Sequence, residues 1–279
     1  MKKTYNRNHI LVFGGAYSNL QAVERLKEIS DFLGFDASRI ICTGDVAGYC
    51  AQPEETVQFV KNWGINVLAG NVEVQLREGK IDCGCNFEEG SRCDMFSRSW
   101  FPFTQQNLSK DSIAWMQTLS TYEERSQNGI AFSLIHGGKE DVSQFIFKST
   151  PIEVKNQIFD EVKSDIILCG HSGIPFYQKI ENKLWVNAGV IGMPANDGTN
   201  RCWFSIVNLE TKEVEQHAFT YNHNLASKLM VDNGLPNEYA FTLYSGKWDN
   251  NDILPELETA QQGFALEADV MWDRVEQLV

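Results

Sequence analysis

Short apolar runs alternate with amphipathic segments over the first seventy or so positions of the chain. The runs that predict buried strands are His9–Phe13, residues 39–43 and residues 65–69. Helical spacing recurs at residues 18–33 and at Pro53–Trp63, and Ser18 with Gln21 has the spacing of a capping box. This alternation predicts parallel strands that are joined by crossover helices.

Residues 76–124 interrupt the alternation with a cysteine-rich stretch, an aromatic stretch and a predicted helix over 110–119. We interpret this segment as a helical cap inserted over one end of the sheet. The alternation resumes with a strand at Ile130–Ile135, a helix at 151–162 and a strand at 165–169. Three further strands, at Lys183–Asn187, Cys202–Asn208 and 214–219, are expected to be antiparallel members of a second sheet.

The C-terminal part begins with a predicted helix, His223–Asp232, which closes on Gly234, and it continues as an acidic tail. These patterns predict a main domain over residues 1–225, with the cap at 76–124. A C-terminal helical and acidic extension over 226–279 is expected to pack on that domain.

Composition narrows the range of functions. The chain has 279 residues, 43% of them hydrophobic, and a formal net charge of −13, which disfavours general binding to DNA or RNA. The N-terminus lacks the apolar core of a secretory signal, and no apolar run has the length of a membrane span. We therefore expect a cytoplasmic protein without a membrane partner, with its seven cysteines as thiols, while its oligomeric state is not indicated.

Polar residues follow four of the predicted strands, each beside a glycine. They are Asp45, Asn71, His136 and His171. Because the carboxyl ends of parallel strands form the ligand crevice of such sheets, these side chains are expected to converge. Two imidazoles and two oxygens suit a divalent ion such as Mn, Fe or Zn. The alternative is a turn aspartate and two hydrogen-bonded core histidines.

The order of these motifs resembles that of the calcineurin-like metallophosphoesterases. It reads Gly44-Asp45-Val46-Ala47-Gly48-Tyr49, then Gly70-Asn71, His136-Gly137, Gly170-His171 and Asn187-Ala188-Gly189, over residues 9–221. The resemblance is closest to the bacterial branch of small phosphatases and phosphodiesterases. It implies an α/β (α+β) fold, a four-layer αββα sandwich of two mixed sheets flanked by helices. It also implies a dinuclear metal centre that acts on a small phosphomonoester or phosphodiester.

The departures from the family pattern fall mainly on one of the two metals. Gly15 and Tyr17 stand where the family has an aspartate and a histidine, and Gly173 replaces another histidine. By the same resemblance, Asp45, Asn71, His136 and His171 are the ligands that remain, enough for one ion. We therefore predict a mononuclear site.

Catalysis is expected to depend on Asp45 and His136, with Asn19, Asn71 and Gly137 near the substrate. Val72 replaces the histidine that usually contacts substrate or protonates the leaving group. Tyr17 is either a substitute acid or a side chain that fills the space of the missing ion, and the alternative for Asn19 is a role as a helix cap alone. A non-catalytic protein that binds a metal or nucleotide, or a scaffold, is the alternative to an enzyme.

The stretch with Cys83, Cys85 and Cys93 predicts either a second metal site with thiolate ligands or a soft ligand for the metal position whose usual ligands are replaced. The alternative is that these are ordinary loop thiols.

Overall fold

Two β-sheets form the centre of the protein, which was analysed as a computed structural model that describes residues 4–273. The strands are β1 (His9–Phe13), β2 (Ile40–Cys42), β3 (Asn66–Val67), β4 (Tyr122–Gln127), β5 (Ile130–Ile135), β6 (Ile166–Cys169), β7 (Phe176–Ile180), β8 (Lys183–Asn187), β9 (Cys202–Asn208), β10 (Glu213–Phe219) and β11 (Val270–Trp272). The helices are α1 (Leu20–Leu33), α2 (Pro53–Trp63), α3 (Asn71–Arg77), α4 (Arg92–Gln106), α5 (Lys110–Met116), α6 (Ile152–Val162), α7 (His223–Asp232), α8 (Asn237–Ser245) and α9 (Glu256–Ala260). The first sheet has the order β11-β10-β9-β1-β2-β3 and the second β4-β5-β6-β8-β7.

The central strands are apolar on both faces, and alternate residues serve different layers. Ile10 and Val12 of β1 share one buried cluster with Phe132 and Leu134 of β5, which joins the two sheets face to face. Their neighbours in β1 belong instead to the cluster that includes α1 and α2. Burial of each such side chain contributes about 1.5–3 kcal/mol, so a strand with both faces covered must be continuously hydrophobic.

Helices cover the outer faces of the two sheets, which gives the predicted αββα layering. Leu26 of α1 and Val57 of α2 pack in the cluster on the first sheet, and Ile158 of α6 packs on the second. The predicted capping box at α1 is wrong. Asn19 is the N-cap, and its side-chain oxygen accepts from the Ala22 N–H at 3.3 Å.

The predicted grouping of the last strands is partly wrong. β9 pairs antiparallel with β1 through Leu11 and Ile206, and β10 pairs with β9, so both strands extend the first sheet. β8 lies in the second sheet, parallel to β6. The hydrophobic pattern predicts that these segments are strands, but it does not specify which sheet edge each one joins.

Two helices, α4 and α5, form the segment that interrupts the alternation. Trp100 of α4 is fully buried, and its ring stacks on Tyr49 with centroids 4.4 Å apart. The strand β4 begins at Tyr122, so the last three residues of the predicted cap, 122–124, lie at the edge of the second sheet.

The C-terminal part contributes helices and one strand. β11 pairs parallel with β10 through Met271 and Ala218, so it completes the first sheet. Residues 1–3 and 274–279, at the ends of the two predicted domains, lie outside the described residues. No helix among residues 4–273 combines the length and the apolar character that crossing a bilayer requires.

Candidate metal centre

The four predicted metal ligands lie just beyond the carboxyl ends of four strands. Asp45 follows β2, Asn71 begins α3 after β3, His136 follows β5 directly, and His171 follows β6. Asp45 and His171 have φ angles of +60° and +62°, a left-handed backbone that few non-glycine residues adopt. Such strained positions concentrate at functional sites, where the surrounding structure holds them.

One imidazole nitrogen is the point at which the four side chains meet. The Nε2 of His136 lies 3.1 Å from Asp45 Oδ2, 3.1 Å from Asn71 Oδ1 and 3.1 Å from His171 Nδ1. All four residues are buried. Ligand atoms of Asp45, His136 and His171 lie within 4.8 Å of one another, a separation that allows one ion to bind all three. The predicted convergence is therefore confirmed in its geometry.

Hydrogen bonds on the far side of the cluster fix the orientation of the ligands. His136 Nδ1 lies 2.6 Å from the Thr43 carbonyl oxygen, which can only accept, so Nδ1 carries a proton. The Asn71 amide donates to the Cys83 carbonyl oxygen at 2.8 Å, which turns its own oxygen toward His136. Nε2 thus faces two oxygen lone pairs, and this arrangement requires a positive charge, either a proton or a cation. The donor set fits a divalent ion whose ligands are held in place by further hydrogen bonds.

The pKa values within the cluster reflect this need for a positive charge. Burial by itself would lower the pKa of His136, but the Asp45 carboxylate and its hydrogen bond raise it above the ordinary value. Burial likewise opposes ionisation of Asp45, yet His136 lowers the pKa of that carboxyl. Burial and the neighbouring His136 lower the pKa of His171 to about 3. Both directions favour a protonated His136 that donates to an ionised Asp45 carboxylate.

Glu73 connects the two loops that supply Asp45 and Asn71. Its fully buried carboxylate accepts from the backbone N–H groups of Asp45 at 2.7 Å, Gly70 at 2.9 Å and Ala47 at 3.1 Å. Burial, followed by the charge of Asp45, raises the pKa of Glu73 to about 7, against the effect of these three donors. Glu73 therefore holds together the two loops that carry the predicted ligands Asp45 and Asn71.

The His171 loop is held in a similar way by Asn187. The amide of Asn187 donates to the Gly170 carbonyl oxygen at 2.8 Å and to Ser172 Oγ at 2.7 Å. Its side-chain oxygen accepts from the Gly189 N–H at 3.0 Å. The Asn-Ala-Gly motif thus fixes the loop that carries one of the two histidines.

Aromatic rings fill the space beside Gly15 and Gly173, two positions where the family resemblance leads us to expect metal ligands. A side chain on Gly15 would begin 2.4 Å from the Cε1 atom of Tyr17, so the Tyr17 ring fills that space. A side chain on Gly173 would begin 3.2 Å from the ring of Trp248. Tyr17 is buried, and its ring packs on Tyr49 with centroids 4.5 Å apart.

Asp45 and His171 also face a cavity of about 80 Å³. Much of its wall is aromatic, with Tyr17, Tyr49, Phe145, Tyr239 and Trp248 among the lining residues. Phe145 stacks on His171 with ring centroids 4.3 Å apart. An engineered apolar cavity that holds benzene has a volume of about 150 Å³, so this cavity suits a small group.

Two predicted substrate contacts lie outside the cavity. The Asn19 amide donates to the Gly192 carbonyl oxygen and to the Tyr221 hydroxyl, both at 3.0 Å, and its oxygen caps α1. A side chain on Gly137 would begin 2.5 Å from the Gln144 carbonyl oxygen, so this glycine packs against its own loop. Neither geometry supports contact with a substrate, and for Asn19 the capping role is the one observed.

The three cysteines of the insertion do not assemble, within residues 4–273, into one set of metal ligands. Cys85 Sγ lies 3.1 Å from the Asn71 amide nitrogen, whereas the Cys93 thiol donates to Asn250. Burial raises the pKa of the Cys85 thiol. All seven cysteines are free thiols, as predicted.

Sequence patterns did not indicate that Phe145 and Trp248 border the site. Trp248 is held by its indole N–H, which donates to the Pro194 carbonyl oxygen at 2.8 Å. The available signal was Trp248 itself, a large apolar side chain within an acidic segment. The sequence pattern does not show which part of the fold this side chain contacts.

The class of protein follows from the fold and site together with a family match. Residues 9–212 match the model of the calcineurin-like phosphoesterase superfamily domain, so the chain belongs to this family of metallophosphoesterases. The match confirms the family that the ordered motifs predict.

Individual relatives cover most of the chain at low identity. The uncharacterized protein MJ0912 of Methanocaldococcus jannaschii is 22% identical over 258 residues, which cover 86% of this chain and 99% of that protein. A metallophosphoesterase from Sphaerobacter thermophilus has a similar structure, with a TM-score of 0.68, 20% identity and coverage of 86% of this chain and 100% of the other. The structure of the hypothetical protein PH1004 from Pyrococcus horikoshii OT3 is also similar, with a TM-score of 0.71 and 17% identity. The match covers 86% of this chain and 99% of that one. At these identities, the two structures confirm the αββα fold and no more.

Proposed function

We propose that this protein is a metal-dependent phosphoesterase that acts on a small phosphate ester with a single divalent ion. The observation that carries the proposal is the convergence of Asp45, Asn71 and His171 on His136 Nε2. Mn, Fe or Zn suits this set of two imidazoles and two oxygens. When bound, such an ion supplies a Lewis acid for the phosphoryl group and a water of lowered pKa.

The chain's own residues divide into ligands and supports. Asp45, Asn71, His136 and His171 would hold the ion. Glu73 and the Thr43 carbonyl fix the loops and the tautomer. Asp45 and His171 reach the cavity, so the ester would enter on that side.

Protonation of the leaving group is the weak point of this site. Val72, at the family's usual acid position, is fully buried among apolar side chains. Tyr17 is the alternative donor in the cavity, but burial raises its pKa far above neutrality, which makes it a poor general acid. We therefore expect turnover of esters with good leaving groups.

A non-catalytic metal-binding protein is the second candidate function. It is favoured by the rings of Tyr17 and Trp248, which fill the positions of the missing ligands. The two functions differ in turnover rather than in metal binding.

Metal stoichiometry and turnover test the proposal together. Purified protein should bind one Mn²⁺ or Zn²⁺ ion per chain in equilibrium dialysis and should then hydrolyse methyl p-nitrophenyl phosphate. Two tightly bound ions would contradict the mononuclear site. Binding of one ion without turnover on diester and monoester substrates would leave the metal-binding function, and absence of binding would overturn both.

Metal affinity should rise with pH because the ion competes with a proton. The pKa of His136 is raised, so this imidazole stays protonated to higher pH than usual, whereas His171 with a pKa of about 3 is already neutral. Below the pKa of His136, affinity should increase about tenfold per pH unit, and it should level off above it. Calorimetry in buffers of different ionisation enthalpy should show release of about one proton per ion. An affinity that does not change from pH 6 to 9 would contradict this assignment.

A further inference from the structure

We propose that the cavity selects phosphodiester monoanions over phosphomonoester dianions. This inference rests on the proposed function, and it narrows the substrate class. It is carried by the charges and the chemical character of the residues that line the cavity.

Within residues 4–273, no side chain with a permanent positive charge lines the cavity. Among the described residues that border the cavity, none is Lys or Arg, and the acidic ones are Asp45 and Asp249. His171 also faces the cavity, where the proposed function makes it a ligand of the ion rather than a partner of the phosphate. A phosphate group would therefore find no arginine or lysine partner there, although such partners commonly bind dianionic phosphate in proteins.

Arg92 lies at the edge of this region, but acidic groups already surround it. Its guanidinium contacts both carboxylate oxygens of Asp249, with Nη2 2.9 Å from Oδ1, and Nη2 lies 3.5 Å from Glu238. The Arg92 backbone N–H donates to Asp252 at 3.0 Å. Arg92 therefore neutralises Asp249 and offers no free positive charge to a ligand in the cavity.

Charge balance then separates the two kinds of ester. A divalent ion together with the carboxylates of Asp45 and of Glu73, which is hydrogen-bonded to the Asp45 backbone, leaves at most one net positive charge at the floor of the cavity. A diester monoanion therefore leaves less uncompensated negative charge among the aromatic rings than a monoester dianion does. Uncompensated charge in an apolar environment is strongly unfavourable.

The aromatic wall favours the same choice. Tyr49, Phe145 and Trp248 offer apolar surface where the second substituent of a diester could pack. A monoester presents charged oxygens on that side instead, and these would lose their hydration without gaining donors.

A matched pair of ligands tests the inference without relying on turnover. Titration of the Mn²⁺-loaded protein at pH 8 compares dimethyl phosphate, a monoanion, with methyl phosphate, a dianion. We expect the diester to bind at least about tenfold more tightly, as one charge a few ångströms away in a medium of intermediate dielectric would produce. The kcat/KM values for methyl p-nitrophenyl phosphate and p-nitrophenyl phosphate should differ in the same direction.

A variant that adds a cation to the lining should reduce the preference. Asn250 borders the cavity, so Asn250→Lys should lower the ratio of diester to monoester affinity about tenfold. Asn233→Lys changes the net charge equally on the exposed end of α7, and it should leave the ratio unchanged.

The outcomes distinguish this inference from the proposed function. Binding of one Mn²⁺ ion together with equal or tighter binding of methyl phosphate by the wild-type protein would overturn the selectivity alone. An unchanged ratio in a folded Asn250→Lys protein would also overturn it, and the wild-type comparison still decides if that variant does not fold. Failure to bind Mn²⁺ would instead overturn the proposed function.

Discussion

The variant His136→Ala should lose metal binding and phosphoesterase turnover together, each by more than about 100-fold. Loss of a residue that only holds a metal ligand in place typically costs about 10–100-fold in metal affinity or activity, and His136 Nε2 is the atom on which the other three side chains converge. Equilibrium dialysis with Zn²⁺ and initial rates on methyl p-nitrophenyl phosphate measure the two effects.

Two further variants show whether this loss is specific to the site. His223→Ala removes a half-buried histidine that contacts Asn200 away from the cluster, and it should bind metal as the wild type does. Asp45→Asn keeps the shape of the side chain but removes its charge, so metal affinity should again fall about 100-fold while the fold is retained. Stoichiometric metal binding by the His136→Ala protein would show that the ion binds at a different site.

Local patterns were sufficient to predict which side chains converge at the candidate site. Asp45 and Asn71 follow neighbouring parallel strands of the first sheet, and His136 and His171 follow neighbouring parallel strands of the second. Strand direction places each pair at the carboxyl edge of its own sheet, and the face-to-face packing of the two sheets brings the pairs together. This explains why four residues separated by up to 126 positions could be grouped correctly.

The surroundings of the site depend on contacts that no local pattern encodes. Trp248 reaches Gly173 from the C-terminal segment, and Tyr17 turns its ring over Gly15 because its own backbone is left-handed, with φ of +50°. Strand order has the same limitation, since β9 joins β1 rather than β8. Such choices are made by packing among distant segments, which the spacing of apolar residues does not specify.

Replacing Glu73 with alanine should destabilise the protein by about 3 kcal/mol or more. The change would leave the buried N–H groups of Asp45, Gly70 and Ala47 without an acceptor, and each unsatisfied group costs about 1–3 kcal/mol. Because the same contacts hold the Asp45 and Asn71 loops together, metal affinity should fall as well. Urea unfolding followed by tryptophan fluorescence measures the stability, with a lower midpoint expected at an unchanged slope.

Two further substitutions, one within α3 and one at its C-cap, separate the effect of the lost Glu73 hydrogen bonds on stability from the effects of helix propensity and charge. Glu73→Gln keeps one oxygen for the Asp45 and Gly70 N–H groups but turns its amide toward the Ala47 N–H. The free energy of unfolding of this variant should therefore fall by an intermediate amount, about 1–3 kcal/mol. Glu78→Ala removes an exposed carboxylate from the end of α3 and should change stability by less than about 0.5 kcal/mol. If Glu73→Ala were as stable as Glu78→Ala, the two loops would have to be held by their backbone and glycine contacts, and Glu73 would have no part in positioning the ligands.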